Sequence, residues 1–274
     1  MAALCFFSEP GSGGPAGAAN MTDTSDPRER FSDRVAEYVR HRPGYPSELM
    51  SVLWEEAGFD SSWVVADVGS GTGLSTVPFL DHGNRVWAVE PNAEMRRAAN
   101  ELLEGRPGFR SVAGSAEATG LPPASVDLVA AGQAFHWFDH AAARREFLRI
   151  LRPGRWAVVF WNTRRQDTAF QRGYENLLNT FGTDYAAVRH DRLTDPTLES
   201  FFGGPFSRRV LHLEQHLDLS SVQGRLLSTS YTPPPGHTDH EAMMEAAREL
   251  FHRHQVGGTV VMAYDTEIYL ARLR

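Results

Sequence analysis

The chain has 274 residues, a formal charge of −7 and one cysteine, Cys5. That length can bury a sizeable core, and a lone cysteine excludes an internal disulfide and a cysteine-rich metal site. The acidic balance, with no basic stripe carrying interleaved aromatics, argues against a nucleic-acid partner, and no run of 18 apolar residues predicts a membrane span.

In chain order, residues 1–26 read as a disordered leader. Ala2 to Phe7 is apolar but too short for a signal core, Gly11 to Ala19 is small and proline-broken, and Met21 is an alternative start. Residues 27–62 read as an N-terminal helical lid. Phe31, Val35, Tyr38 and Val39 recur at helical spacing and stop before Arg42–Pro43. Pro46–Ser47 opens a second helix with Leu49, Leu53 and Trp54 on its apolar side.

Residues 63–183 read as a core of five strand–helix units, with strands near 63–68, 85–89, 109–113, 126–131 and 155–161. Helices are predicted to begin near Thr72, Asn92 and Ala141, and a last crossover runs from Thr168 to Phe181. Asn92 is a helix cap, with Ala93, Ala98, Leu102 and Leu103 on that helix's inner face. Apolar strands alternating with amphipathic helices predict a doubly wound parallel sheet covered on both faces. Residues 184–206 break the rhythm and read as an insertion placed over the site. Residues 207–274 complete the same α/β domain, with strands at 208–216 and 259–269 and helices near 220–228 and 239–254.

The densest signal is Val64-Val65-Ala66-Asp67-Val68-Gly69-Ser70-Gly71-Thr72-Gly73, followed by Arg85-Val86-Trp87-Ala88-Val89-Glu90. An apolar strand ends in glycines at every second position, and the next strand ends in an acid. Glycines permit the tight turn and let the main chain lie against a ligand. Glu90, at the carboxyl end of its strand, suits the two hydroxyls of a ribose. A dinucleotide fingerprint needs glycines at its first, third and sixth positions, and the sixth here is Leu74. Asp67, just before the turn, would repel a pyrophosphate and favour a cationic ligand.

These residues resemble motif I of the class I methyltransferases that use S-adenosylmethionine. Glu90-Pro91-Asn92 is similar to the family's acidic loop, and Gly114-Ser115-Ala116-Glu117 with Leu121-Pro122 to the loop after its third strand. Val126-Asp127-Leu128-Val129 resembles the fourth strand, and Leu151-Arg152-Pro153-Gly154-Arg155 the turn into the fifth. The resemblance spans roughly residues 30 to 165, in the family's order. Tyr38 to Pro46 and Gln133-Ala134-Phe135-His136-Trp137-Phe138 resemble the subgroup that contains trans-aconitate methyltransferases. The resemblance implies a seven-stranded, mostly parallel sheet whose last strand is antiparallel.

It also implies S-adenosylmethionine as cofactor, a small-molecule acceptor with a carboxylate or natural-product oxygen, and a cytoplasmic monomer or homodimer in secondary metabolism. No metal, nucleic acid or membrane is expected. The cofactor set is Arg42, Asp67, Gly69, Ser70, Gly71, Gly73, Glu90, Pro91, Met95, Ala116, Glu117, Gln133 and Trp137. Within it, Met95 packs near the adenine, and either the Glu117 side chain or the Ala116 main chain meets the adenine amine. Asp67 engages the cofactor's ammonium directly, or through the glycine loop and water. Arg42 is a carboxylate anchor or a surface arginine.

The catalytic pair is His136 and Tyr38, with His136 either a general base or an orienting group. Phe135, Trp137 and Phe138 offer aromatic faces to a positive sulfur or pack the core. Trp161 and Asn162 line the acceptor pocket or cap the sheet edge, and Tyr174, Tyr185 and Tyr231 are further pocket candidates. The pairs Arg144–Arg145 and Arg208–Arg209 read as solvated, as do His212 with His216, His237 with His240 and His252 with His254. Two alternatives keep the same cradle: a cyclase that releases methylthioadenosine from S-adenosylmethionine, and a non-catalytic binding module.

Overall fold

The computed structural model describes residues 41–183, 185, 195–229 and 231–274. The leader, the first lid helix, Tyr38 and most of the segment 184–194 lie outside the described residues. Seven strands form one sheet in the order β3-β2-β1-β4-β5-β7-β6. They are β1 Val64–Val68, β2 Arg85–Val89, β3 Phe109–Val112, β4 Val126–Gly132, β5 Leu151–Arg164, β6 Ser207–Leu217 and β7 Val260–Arg272. The pairs β1–β2, β1–β4, β2–β3 and β4–β5 are parallel, and β7 is antiparallel to both β5 and β6. This is the α/β, Rossmann-like sheet expected from the sequence.

Strand alternation divides the core in two. Val64, Ala66 and Val68 of β1 face one layer, and Val65 faces the other. The first layer holds α4 (His140–Ile150) and α6 (Asp195–Phe202). The second holds α1 (Glu48–Ala57), α2 (Thr76–Asp81) and α3 (Ala93–Leu103). A third core joins α5 (Ala169–Phe181), α7 (Leu219–Leu227) and α8 (His240–His254) to Leu217, Val260, Met262 and Tyr264 at one end of β6 and β7.

Polar side chains set the boundaries. Asn92 Oδ1 accepts the amides of Glu94 and Met95 and starts α3. Asp139 caps α4, Thr168 caps α5 and Asp218 caps α7. Buried Asp127 opens β4, accepts the Val64 amide at 2.9 Å and meets Arg152 and Arg155, so one carboxylate ties β1, β4 and β5 together.

Several local expectations change. The helix placed near Thr72 begins at Thr76, because the left-handed Gly73 (φ +91°) continues the turn. No helix follows β3 among the described residues; a loop leads to β4. The turn at Arg152–Arg155 is absorbed into a long β5, with a register irregularity opposite Val126–Leu128. In α1 the buried face is Leu49, Val52 and Leu53, and Trp54 is 65% exposed. In α3 it is Met95, Ala99 and Leu103, while Ala93 and Leu102 face out. Helix α1 packs into the core beneath the sheet, and among the described residues before it the segment 41–46 approaches the site. Helix α6, read as part of an insertion over the site, buries Leu198, Phe201 and Phe202 against Phe135 and Phe147 and reaches the site at its first residue, Asp195.

Candidate functional site

The carboxyl ends of β1, β2, β3 and β4 share one edge of the sheet, and a cleft opens there. Its walls include Gly69, Ser70 and Gly71 after β1, Glu90 to Asn92 after β2, Ser115 to Glu117 after β3 and Gln133, Trp137 and Phe138 after β4. Met95 of α3 and the segment Arg42 to Tyr45 close it.

Two glycines shape the loop for different reasons. A Cβ at Gly69 (φ +72°) would lie 2.5 Å from the Ala134 Cβ, so the loop can rest against the turn after β4 only without a side chain. A Cβ at Gly71 (φ +56°) would meet nothing within 4 Å. That open space is the cradle itself, where main chain is presented to a ligand.

Glu90 is only 8% exposed, and burial pushes its carboxyl up. Its Oε2 accepts the Gly71 amide at 2.9 Å and its Oε1 accepts the Asn92 amide at 2.8 Å. One carboxylate therefore fixes both loops, and its remaining lone pairs can take further donors such as ribose hydroxyls.

Asp67 differs from the direct part of its expected role. It is fully buried behind the loop and does not line the cleft. Its Oδ2 accepts the hydroxyls of Ser75 at 2.7 Å and Thr76 at 2.6 Å, while Oδ1 is buried with no hydrogen-bond partner. Burial, with the Glu90 charge nearby, raises its pKa to about 6. It can favour a cation only through the loop.

The remaining predicted residues divide clearly. Arg42, Ser70, Pro91, Met95, Ala116, Glu117, Gln133 and Trp137 line the cleft, and Gly73 packs against Leu103 of α3. The Glu117 carboxylate already accepts the Asp139 amide at 2.9 Å. Gln133 holds a left-handed backbone (φ +57°), costly for a side-chain-bearing residue, and its buried Oε1 has no partner. Phe135 is a core residue, stacked on His140 and set edge-on to Phe201, whereas Trp137 and Phe138 present their rings to the cleft. His136 lies against the Trp137 ring and lines neither this cleft nor the chamber beside it, so its expected role as general base is corrected. Tyr38 lies outside the described residues. Tyr45 belongs to the motif Tyr38 to Pro46. It stands on the cleft wall, its ring edge-on to Phe160 at 4.7 Å.

A second chamber adjoins the first. Arg42 and Gln133 line both. Its other walls come from the end of β5 (Trp161 to Arg164), from Glu175 and Tyr185, from Arg225 of α7 and from Tyr264, Glu267 and Tyr269 of β7. Trp161 stacks on Tyr269 and donates to Glu267 at 2.9 Å, and Asn162 donates to the Gly44 carbonyl at 2.9 Å. Tyr185 and Tyr231 line the chamber, while Tyr174 lies buried beside it. Arg208, read as solvated, lines the chamber and binds Glu267 at 2.6 Å.

Sequence reasoning missed Arg164, Arg225, Tyr264 and Glu267. One signal was present for Arg225: it falls on the apolar stripe of α7, three residues after Val222 and next to Leu226. Among the described residues no group of three or more histidine, cysteine or acidic side chains is placed to hold a metal, and His212 pairs with Asp265.

The fold, with a cleft at the carboxyl ends of its parallel strands, is that of a methyltransferase domain, and the comparisons agree. The chain matches the methyltransferase domain family over residues 66–159. It is 31% identical to an uncharacterized methyltransferase of Geobacillus kaustophilus over 176 residues, covering 57% of this chain and 79% of that protein. An uncharacterized methyltransferase of Mycobacterium tuberculosis is 37% identical over 166 residues, covering 61% of this chain and 64% of its own length. The match therefore spans less than two thirds of the mycobacterial relative. A solved structure, a candidate type II methyltransferase from Anaeromyxobacter dehalogenans, superposes with a TM-score of 0.65 at 25% identity, covering 85% of this chain and 98% of that one.

The chain belongs to the class I S-adenosylmethionine-dependent methyltransferase family. The cleft fits that cofactor in its chemistry: the space over Gly71 is open, the Glu90 carboxylate has lone pairs beyond its two amide bonds, and Met95 and Ala116 add apolar wall.

Proposed function

We propose that this protein transfers a methyl group from S-adenosylmethionine to a small-molecule acceptor, at a carboxylate or natural-product oxygen. The observation that carries the reading is the pair of chambers meeting at Arg42 and Gln133. One is built for a nucleoside; the other is polar and lined by side chains able to hold an acceptor. When bound, the cofactor supplies a methyl group on a positive sulfur, which leaves with the carbon–sulfur electron pair as the acceptor oxygen bonds to the methyl carbon.

The chain's own contribution is positioning. Glu90 and the glycine loop fix the adenosine, Trp137 and Phe138 line the cleft with aromatic faces that favour a cation, and Arg42 and Gln133 frame the opening between chambers. Orientation of this kind supplies roughly 7–11 kcal/mol in well-ordered systems. A carboxylate acceptor arrives ionised and needs no base, which suits a cleft whose wall carries no histidine among the described residues. Cyclisation of the cofactor would require no second chamber, so the Arg42–Gln133 junction favours transfer. A cytoplasmic monomer or homodimer completes the reading; among the described residues no helix is long and apolar enough to cross a membrane.

The test is incubation with methyl-labelled S-adenosylmethionine and pooled small acids and phenols. Label is expected in an acceptor, with S-adenosylhomocysteine formed in equal amount. Methylthioadenosine above the spontaneous rate, with no labelled acceptor, would overturn the proposal.

A further inference from the structure

The charges in the second chamber are unequal. Among the described residues four arginines, Arg42, Arg164, Arg208 and Arg225, line it with three carboxylates, Glu175, Asp195 and Glu267. Arg164 binds Glu175 at 3.1 Å, and Arg208 binds Glu267 at 2.6 Å. Glu267 also accepts from Trp161, Thr163 and Tyr269, so its oxygens are committed. Arg225 is the exception. It is 4% exposed, yet among the described residues it meets no carboxylate. Its Nη1 donates to the His41 carbonyl at 2.9 Å and reaches Gln215 Oε1 at 3.4 Å, and its guanidinium lies over the Tyr264 ring at 5.1 Å.

A buried guanidinium without an anion is expensive, and removing its partner typically costs several kcal/mol. Arg225 has five N–H donors, and the two neutral oxygens it meets use only Nη1. Beside it the Tyr264 hydroxyl is buried, lines the same chamber and has no hydrogen-bond partner. Both residues thus border one chamber, which adjoins the cleft through Arg42.

We infer that Arg225 and Tyr264 form the anchor for a carboxylate of the acceptor, so that the acceptor is a small organic acid. The guanidinium offers two parallel N–H groups to the carboxylate, and the phenol donates a third hydrogen bond. The anchor also explains the clasp at the junction. Arg225 holds the His41 carbonyl and Arg42 donates to the Ser228 carbonyl at 3.3 Å, so an acid seated on α7 steadies the segment that closes the cleft. This inference rests on the methyl-transfer reading.

The experiment titrates succinate, glutarate, citrate and 4-hydroxybenzoate, each beside its uncharged amide, onto protein saturated with S-adenosylhomocysteine. At least one acid is expected to bind below millimolar concentration, with its amide about tenfold weaker or more. R225Q, which removes the charge and the guanidinium fork while keeping a polar side chain, is expected to weaken that acid at least about tenfold. Y264F, which deletes only the unpartnered hydroxyl, is expected to weaken it by about threefold to tenfold. Both variants should bind S-adenosylhomocysteine within about twofold of wild type, a readout that a purely structural role for Arg225 would move. Under turnover the loss should fall on the KM for the acid.

Equal binding of acid and amide, no binding of any acid, or undiminished acid binding by both variants overturns the anchor while leaving cofactor binding intact. Failure of wild type to bind S-adenosylhomocysteine overturns the methyl-transfer reading, and the anchor falls with it.

Discussion

The two chambers are made in different ways. The cofactor cleft is local: a strand, a glycine turn and an acid lie within the stretch 64–90, and neighbouring parallel strands bring their loops to one edge. The second chamber is assembled from distant pieces. Arg42 precedes the first helix of the described residues, Arg164 ends β5, Arg225 lies on α7 and Tyr264 lies on β7. Chemistry common to a whole family sits where backbone geometry dictates it, and chemistry that selects an acceptor sits where helices happen to pack. Substitutions in the first region should therefore strike folding and cofactor binding, and those in the second should strike acceptor use alone.

The largest expected effect is at Gly69. G69A adds a Cβ that overlaps Ala134 and forces a side chain into a left-handed backbone. It should cost about 2–4 kcal/mol, seen as a fall of roughly 5–15 °C in the melting temperature by calorimetry. A melting temperature within a degree of wild type would mean that the loop does not rest on the turn after β4.

Next is Asp67. Its folded pKa, about 6, lies above the ordinary aspartate value, so the native state binds the proton more tightly than the unfolded chain. Its contribution to stability is full below about pH 4 and is lost as pH rises through about 6, by roughly 3 kcal/mol. D67N keeps a group able to accept from Ser75 and Thr76 and removes the titration. The stability difference between variant and wild type should move in the variant's favour between pH 4 and pH 7 in chemical denaturation. A pH-independent difference would place no titrating acid there.

At the second chamber, E267Q leaves the acid's neighbours Trp161 and Arg208 with a neutral partner. Losing a negative charge beside an acid acceptor should lower the acceptor KM about threefold to tenfold while S-adenosylhomocysteine affinity holds within about twofold. The smallest effect is expected from W54A. That ring stands on the solvent side of α1, so stability should change by about 0.5 kcal/mol or less. A larger loss would identify a covering surface.

The same contrast decides what was legible in the sequence. Asp67 to Gly73, Glu90 and the Asn92 cap could be read because each acts on neighbours no more than 19 residues away along the chain. The face of α1 was misjudged at Trp54 because the buried stripe follows Leu49, Val52 and Leu53, and size alone does not say which way a ring points. Phe135 and Trp137 are two residues apart in one motif, yet one enters the core and the other the cleft, a split fixed by the short helical turn that carries them. Arg225 carries only a weak local sign, its place on the apolar stripe of α7. Only the packing of α5, α7 and α8 against β7 turns it inward.

The most direct measurement is isothermal titration of wild type and E90Q with S-adenosylhomocysteine. Wild type is expected to bind one equivalent. E90Q, which keeps the side chain's shape but loses the charge that holds the Gly71 and Asn92 amides, is expected to bind at least about 30-fold more weakly. No binding to folded wild type, or equal binding by both proteins, would contradict a cofactor seated between the glycine loop and Glu90.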